Sequence, residues 1–241
     1  MPSWIRTLLS HSLLMLSLLP AATHAEVIIS GTRIIYPGNK RELAVQLNNV
    51  GEQPALIQSW IDNGNADAQP EEEEVPFVIL PPVVRIEPKQ GQTLRLMFSG
   101  ASLPQDRESL FWFNALEIPP QPEEGKSNNY LQFAVRSRIK LFYRPDGLTP
   151  SITEAPETLR WSVAKQQLTI QNPSPYYITL ATVELNGYQL ADLSGQMLEP
   201  HGHLVTALTG KLATASHFSG HFTNINDFGA SSDHSLTIDN H

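Results

Sequence analysis

The chain has 241 residues, of which 41% are hydrophobic and 17% are charged, and its formal net charge is -8. This length suits one large domain or two ordinary ones, and the composition is that of a globular protein, which excludes a disordered chain. So acidic a chain is unsuited to binding nucleic acid or anionic membrane surfaces.

The first residues have the features of a cleavable export signal. Arg6 supplies a positive charge, Leu8 to Leu19 form an apolar run, and Thr23-His24-Ala25 resembles a small-x-small cleavage site. An uncleaved anchor is the alternative, but the run is too short for a bilayer-spanning helix with ordinary flanks. We therefore expect residues 1-25 to be a signal peptide and the mature chain to begin near Glu26. We also expect no stable membrane insertion.

After this segment, apolar residues alternate with polar ones rather than recurring at helical spacing. Short runs rich in β-forming residues, separated by Gly, Pro, Asn or Asp, are Val27–Tyr36, Leu43–Leu47, Ala55–Ile61, Leu94–Phe98 and Leu110–Leu116. The longest strand candidate is Tyr130–Tyr143. Short strands at this spacing are typical of sandwiches and barrels, so we predict an all-β fold.

A turn signal, Arg144-Pro145-Asp146-Gly147, ends the longest predicted strand. We place a domain boundary between this turn and Ser151. This gives an N-terminal domain of residues 26-147 and a C-terminal domain of residues 148-241, and the second keeps the short-strand pattern of the first. Roughly 90 residues is a normal size for a β-sandwich.

The sequence lacks the motifs of the common enzyme classes. It has no Gly-x-Ser-x-Gly elbow, no phosphate-binding Gly-rich loop, no His-Glu-x-x-His and no cysteine. His201 and His203 would face one side of a strand, but no carboxylate or cysteine spacing completes a metal-ligand set. The run Glu71–Glu74 is interpreted as a solvated loop. We predict no catalytic residue, no metal site and no cofactor.

Two single cations lie inside apolar β-segments. Arg33 is within Gly31–Pro37, and Lys140 is within Arg138–Tyr143. From spacing alone, the favoured interpretation of each is a solvent-facing strand residue or an edge charge that blocks aggregation.

Longer motifs identify a family. Leu103–Asn114, followed by Glu117-Ile118-Pro119-Pro120, closely resembles the signature of periplasmic pilus chaperones. Further stretches agree in the family's order, and they are Thr32–Pro37, Pro81–Pro88, Ile139–Pro145, Asn172–Tyr177 and Asn226–Gly229. The resemblance covers the mature chain and implies two immunoglobulin-like β-sandwich domains in a boomerang arrangement around a cleft. Ala115 departs from the signature, which usually has a larger aliphatic residue there.

The resemblance implies a chaperone of the PapD-like family that binds, folds and caps pilus subunits by donor-strand complementation. Arg33 and Lys140 match cleft cations that hold the C-terminal carboxylate of a pilus subunit. Leu131, Phe133 and Val135 match the strand that fills the groove of an incomplete subunit. Chaperone–pilin pairs are an established example of such strand addition.

Three further charges, Glu108, Arg144 and Asp227, match the family's inter-domain ion network, although they could be unrelated surface charges. The implied partners are pilus subunits and an outer-membrane usher, the implied location is the periplasm, and no ATP is required. The short connection Gln121–Asn129 is similar to that of short-loop family members.

Strand geometry raises a conflict within this assignment. In a flat strand, Lys140 faces away from the side that Leu131, Phe133 and Val135 share. We therefore expect a bulge or a strong twist between Arg136 and Lys140 that re-aims the lysine.

Two other functions compete with the chaperone. A pilus subunit or adhesin is disfavoured because subunits typically have one domain, whereas this chain carries two predicted sets of strands. A secreted hydrolase is disfavoured because no catalytic constellation is present, so we predict that the protein is not an enzyme.

Overall fold

The structure is a computed structural model that describes residues 27–67, 74–119, 133–215 and 217–240. Some of the segments singled out above lie outside these ranges, and they are residues 1-25, Glu71–Glu73, Gln121–Asn129 and Leu131. Within the described ranges the only helical elements are short 3-10 turns at Ala155–Thr158, Ala191–Leu193 and Leu212–Thr214. No helix there is long and apolar enough to cross a membrane.

The described residues of the first part of the chain form nine strands. They are β1 (Val27–Ile29), β2 (Arg33–Pro37), β3 (Glu42–Asn49), β4 (Ala55–Asp62), β5 (Phe77–Leu80), β6 (Val83–Ile86), β7 (Gly91–Phe98), β8 (Ser109–Ile118) and β9 (Val135–Arg144). One sheet has the order β1-β3-β7-β5 and the other has the order β2-β9-β8-β4-β6. Strands β2 and β9 are parallel to each other.

Alternation along the strands explains how these two sheets pack. Each strand directs every second side chain inward, and the inward faces enclose one apolar core. Its largest fully buried side chains include those of Tyr36, Leu47, Ile57, Leu94 and Phe113. Burial of each such side chain contributes roughly 1.5–3 kcal/mol.

The predicted run Val27–Tyr36 forms two strands rather than one. β1 pairs with β3 in the four-stranded sheet, whereas β2 pairs with β9 in the other sheet. Gly31, between them, has a φ of +115°, a conformation that side-chain-bearing residues rarely adopt. The chain therefore crosses from one sheet to the other at this glycine.

The second part of the chain forms a separate sandwich. Its strands are β10 (Arg160–Ala164), β11 (Gln167–Gln171), β12 (Ile178–Leu185), β13 (Tyr188–Gln189), β14 (Met197–Leu198), β15 (His203–Ala207), β16 (Ser219–Ile225) and β17 (Ser231–Asn240). Pairing follows the order β13-β12-β16-β17-β10-β11-β15, with β14 beside β12. Trp161 on β10 lies 5.2 Å from Phe222 on β16, measured between ring centroids, so the two halves of this path share one core.

Candidate functional site

Strand β9 has two faces with different chemistry. Its register with β8 is unbroken from Val135, opposite Glu117, to Tyr143, opposite Ser109. We expected a bulge or a strong twist between Arg136 and Lys140. The bulge is wrong, because the pairing advances one residue at a time through this segment. Lys140 therefore stays on the face opposite to Val135.

The side chains on one face of β9 become more exposed from the C-terminal end of the strand towards its N-terminal end. Leu141 and Tyr143 are buried, and Ile139 is partly buried against the same core. Val135 is 41% exposed and Phe133, just before the strand, is 69% exposed. Two predicted groove-filling side chains thus lie at the surface, and the third, Leu131, is outside the described residues.

The backbone edge of β9 is open over the same segment. β8 pairs with β9 along its whole length, but β2 begins to pair on the other side only where Arg33 meets Lys140. Among the described residues, no strand lies beside Val135–Ile139 on that side. Unpaired N–H and C=O groups on such an edge can receive another strand.

Arg33 and Lys140 lie where this open edge ends. They are direct register partners on β2 and β9, and both are half-buried. The Lys140 Nζ atom lies 5.8 Å from the Trp112 ring centroid, and Arg33 Nη1 donates a hydrogen bond to the Ile225 carbonyl oxygen at 3.1 Å. Within the described part of the chain, neither cation forms a salt bridge, and the buried Arg33 Nε has no hydrogen-bond acceptor.

The electrostatics of the pair favour an anion. Burial lowers the pKa of Arg33, although Asp227 and Glu108 oppose this effect. Burial also lowers the pKa of Lys140, and the neighbouring charge of Arg33 lowers it further. A negative group placed between them would relieve both the mutual repulsion and the desolvation of the two charges.

Glu108, Arg144 and Asp227 lie in direct contact where the two sandwiches meet. Arg144 Nε donates to Glu108 Oε1 at 2.7 Å, and its two terminal nitrogens donate to the Asp227 carboxylate at 2.6 and 2.8 Å. The second Glu108 oxygen accepts from the Tyr177 amide at 2.8 Å. One guanidinium therefore joins a carboxylate of each sandwich, with the geometry that a planar fork allows.

Burial sets the protonation behaviour of this network. Glu108 is buried, which raises its pKa, while Arg144 and the Tyr177 amide act in the opposite direction. The two carboxylates outweigh desolvation at Arg144, raise its pKa and keep it charged. The charged guanidinium is thus the centre of the network.

A second contact between the sandwiches lies beside the ion network. Gly229 has a φ of +80°, and a Cβ atom added there would lie 2.3 Å from the Thr32 hydroxyl oxygen. Any other residue would be strained at this φ and would displace the Thr32 side chain. The turn that carries Asp227 therefore packs closely on the segment that precedes Arg33.

Sequence reasoning missed one cluster. Asp62 at the end of β4 is fully buried, and Arg136 and Arg138 of β9 both contact its carboxylate. The available signal was the period-two spacing of Arg136, Arg138 and Lys140, which places three cations on one strand face.

Comparison with known proteins identifies the family. Residues 26–149 match the pili and flagellar-assembly chaperone PapD N-terminal domain, and residues 154–236 match the pili assembly chaperone PapD C-terminal domain. The chain belongs to the PapD-like family of pilus-assembly chaperones. This family is not a class of enzymes, and its chaperone–usher members work in the periplasm.

Individual relatives agree with this assignment. The probable fimbrial chaperone YadV of Escherichia coli K12 is 44% identical over 213 residues, which cover 85% of this chain and 87% of YadV. The crystal structure of the Pseudomonas aeruginosa CupB2 chaperone matches with a TM-score of 0.73 at 35% identity, covering 88% of this chain and all of CupB2. A structure of Salmonella enterica SafA pilin in complex with the SafB chaperone matches with a TM-score of 0.74 at 27% identity, covering 90% of this chain and 99% of the matched one.

These findings confirm the predicted family and the predicted all-β fold of two immunoglobulin-like domains. Among the described residues, no group of three or more His, Asp or Glu side chains could hold a metal ion.

Proposed function

We propose that this protein is a periplasmic chaperone that captures pilus subunits by adding strand β9 to their open sheet edge. The observation that carries the proposal is the open edge of Val135–Ile139, which leads directly to the paired cations Arg33 and Lys140. The chain then divides into a signal peptide, residues 1-25, a strand-donating domain, residues 26-147, and a supporting domain, residues 148-241.

Strand addition supplies the main contact area. A strand of the pilin beside Val135–Ile139 would satisfy the unpaired backbone groups of that edge. Phe133 and Val135, which are exposed in the free protein, would become buried in the groove of the pilin. The alternating sequence predicts the same for Leu131. Burial of each large side chain would contribute roughly 1.5–3 kcal/mol.

The paired cations set the register of this addition. A carboxylate between Arg33 and Lys140 would accept charge-assisted hydrogen bonds, each worth about 1.5–3 kcal/mol net. The Arg33 guanidinium would offer donors from β2, and the Lys140 ammonium would offer donors from β9. Because only the C-terminus of a chain carries a main-chain carboxylate, one alignment of the pilin is selected.

The network of Glu108, Arg144 and Asp227 would hold the two domains at the angle that this site requires. Arg33 itself donates to the Ile225 carbonyl of the second domain, so a change of angle would displace an anchoring cation. The second domain would therefore contribute to capture through the position of Arg33.

The partners follow from the family. SafB forms a complex with a pilin, and we propose that the partner of this chain is likewise a pilus subunit. We also propose that the loaded chaperone delivers the pilin to an outer-membrane usher. Binding energy alone drives capture, so the proposal requires neither catalysis nor a cofactor.

Purification of the tagged protein from the periplasm tests this function. Mass spectrometry should identify stoichiometric pilus subunits in the eluate of the wild-type protein. The double variant Arg33→Ala/Lys140→Ala, expressed at the same level, should lack them. Recovery of equal amounts of pilin with both proteins would contradict the proposal.

A further inference from the structure

We infer that Asp62 is a positioning residue that holds the first half of β9 in the extended form that a partner strand needs. The inference rests on the proposed function of β9 as a donated strand. It concerns the face of β9 opposite to Phe133 and Val135, and it uses residues that lie outside the paired-cation site.

The carboxylate of Asp62 is the centre of a dense set of hydrogen bonds. Arg138 binds it with two nitrogens, at 2.9 and 2.6 Å, and Asn114 Nδ2 donates to it at 2.8 Å. The Gly64 amide donates at 2.8 Å, and Arg136 Nη2 lies 3.4 Å away. Asp62 has no exposed surface, so it is a buried charge with a complete set of partners.

The same two arginines are held on their other sides. Arg136 donates from Nε to Asn114 Oδ1 at 2.9 Å and from Nη1 to the Ala66 carbonyl at 2.5 Å. Its guanidinium carbon lies 4.8 Å from the Trp60 ring centroid, and that of Arg138 lies 4.0 Å from the Trp112 ring centroid. Cation–π contacts of this kind add to the ion pairs.

The cluster also reaches the anchoring lysine. Trp112 contacts Arg138 and also lies 5.8 Å from Lys140 Nζ. The chain of contacts therefore runs from Asp62 through Arg138 and Trp112 to Lys140. Without the Asp62 charge, Arg138 would lose its ion pair. Its contact with the Trp112 ring, which also contacts Lys140, would then weaken.

The position of the cluster explains why a clamp is needed. Within the part of the chain that the structure describes, β9 has a strand neighbour on one side only over Val135–Ile139, and Val135 on this segment and Phe133 just before it are exposed. Backbone hydrogen bonds to β8 hold this segment extended from one side before a partner arrives. Side-chain bonds from Arg136 and Arg138 to a buried carboxylate add to them, and a preformed strand binds with a smaller entropy cost.

The protonation state of Asp62 agrees with this role. Burial acts to raise the pKa of Asp62, but hydrogen bonds from Arg138, Asn114 and the Gly64 amide outweigh it and lower the pKa. The carboxylate is therefore ionised at neutral pH, and both arginines have a charged partner there.

Amide hydrogen exchange of the free protein tests the inference without any pilin. In Asp62→Asn, we expect the amides of Val135–Ile139 that face β8 to exchange at least about tenfold faster than in the wild type, with β3 and β7 unchanged. Asp106→Asn is the matched control, because Asp106 forms an exposed ion pair with Arg107, and its exchange should equal that of the wild type.

Arg138→Lys provides a second variant that keeps the charge but loses the two-pronged bond. It should show the same local increase in exchange, and in both variants association with the pilin should slow while the thermal unfolding of the second domain is unchanged. Unchanged exchange over Val135–Ile139, or equal acceleration throughout the first domain, would overturn the positioning role. Because exchange is measured on the free protein, that result is separate from a failure to capture the pilin.

Discussion

Arg33 and Lys140 are register partners on the parallel strands β2 and β9, and they place two positive charges side by side in a half-buried position. Arg33 is bound on its other side to the Ile225 carbonyl of the second domain. The position of the Arg33 charge thus depends on β2, on its neighbour β9 and on the second domain. Capture of a carboxylate at this position should therefore be sensitive to changes in all three.

Removal of either cation should abolish capture and leave the fold intact. In Arg33→Ala or Lys140→Ala, the terminal carboxylate of a pilin buried in the site would lose a partner, which costs several kcal/mol of binding. Complex yield from the periplasm measures the effect. Arg95→Ala removes an exposed cation paired with Glu42 and serves as the control, with wild-type yield. Normal complex in both site variants would reject the anchor.

The charge on Lys140 should respond to ligand. In the free protein its ammonium should titrate below the ordinary lysine value of about 10.4, because burial and Arg33 disfavour the charge. If capture requires the charged ammonium, the pilin should bind at pH values below the Lys140 pKa of the free protein. Binding should weaken as the pH rises through that pKa. NMR titration with and without a peptide that has the C-terminal sequence of a pilin measures both states. A bound carboxylate should raise the pKa, whereas an amidated peptide should leave it unchanged.

Some of this arrangement could be predicted from the sequence alone. Alternation predicted Ala55–Ile61, which is β4 with one residue fewer, because each second side chain of that strand is buried. The run Val27–Tyr36 was predicted as one segment, since alternation does not reveal that Gly31 redirects the chain to another sheet.

The site was predicted less completely than the fold. The motifs singled out Arg33 and Lys140, but their contact depends on a parallel pairing of strands from distant parts of the sequence. The bond between Asp62 and Arg138 likewise joins residues 76 positions apart. No local spacing encodes such contacts, so only the folded chain reveals the clamp beneath β9.

Phe133→Glu should block capture without destabilising the free protein. Phe133 is exposed before capture, whereas a carboxylate buried in the groove of the pilin would have no partner. Val78→Glu makes the same change at an exposed apolar residue on the edge strand β5, and it should capture normally. Thermal unfolding of the free variants is the check. A large decrease in melting temperature for Phe133→Glu would show that this side chain belongs to the core.

Arg144→Ala should loosen the contact between the domains. Glu108 and Asp227 would lose their shared cation, and like charges left close together repel. We expect faster proteolysis between Pro145 and Ser151 and weaker capture, with each domain still folded. Arg107→Ala, which removes the neighbouring exposed arginine, should be cleaved like the wild type. Equal cleavage of the Arg144→Ala variant would reject the network.

Replacement of Glu108 by Gln should destabilise the protein less than replacement by Ala. Because its folded-state pKa is raised, ionisation of Glu108 reduces stability as the pH rises from the ordinary glutamate range through that pKa. Gln keeps an acceptor for the Tyr177 amide, whereas Ala leaves that amide unpaired. At neutral pH we expect Glu108→Gln to be more stable than Glu108→Ala by at least about 1 kcal/mol in denaturant unfolding. The reverse order would contradict the assigned bond.

Donation of β9 is tested most directly by amide exchange of the chaperone within a complex with its pilin. NMR should resolve the amides of Val135–Ile139 that face the open edge. We expect them to exchange rapidly in the free protein, because none of the described strands lies beside them. Strand donation predicts that these amides become protected when the pilin binds, while the amides of the β5 edge are unchanged. A stable complex in which the open-edge amides of β9 still exchange at the free rate would contradict strand donation.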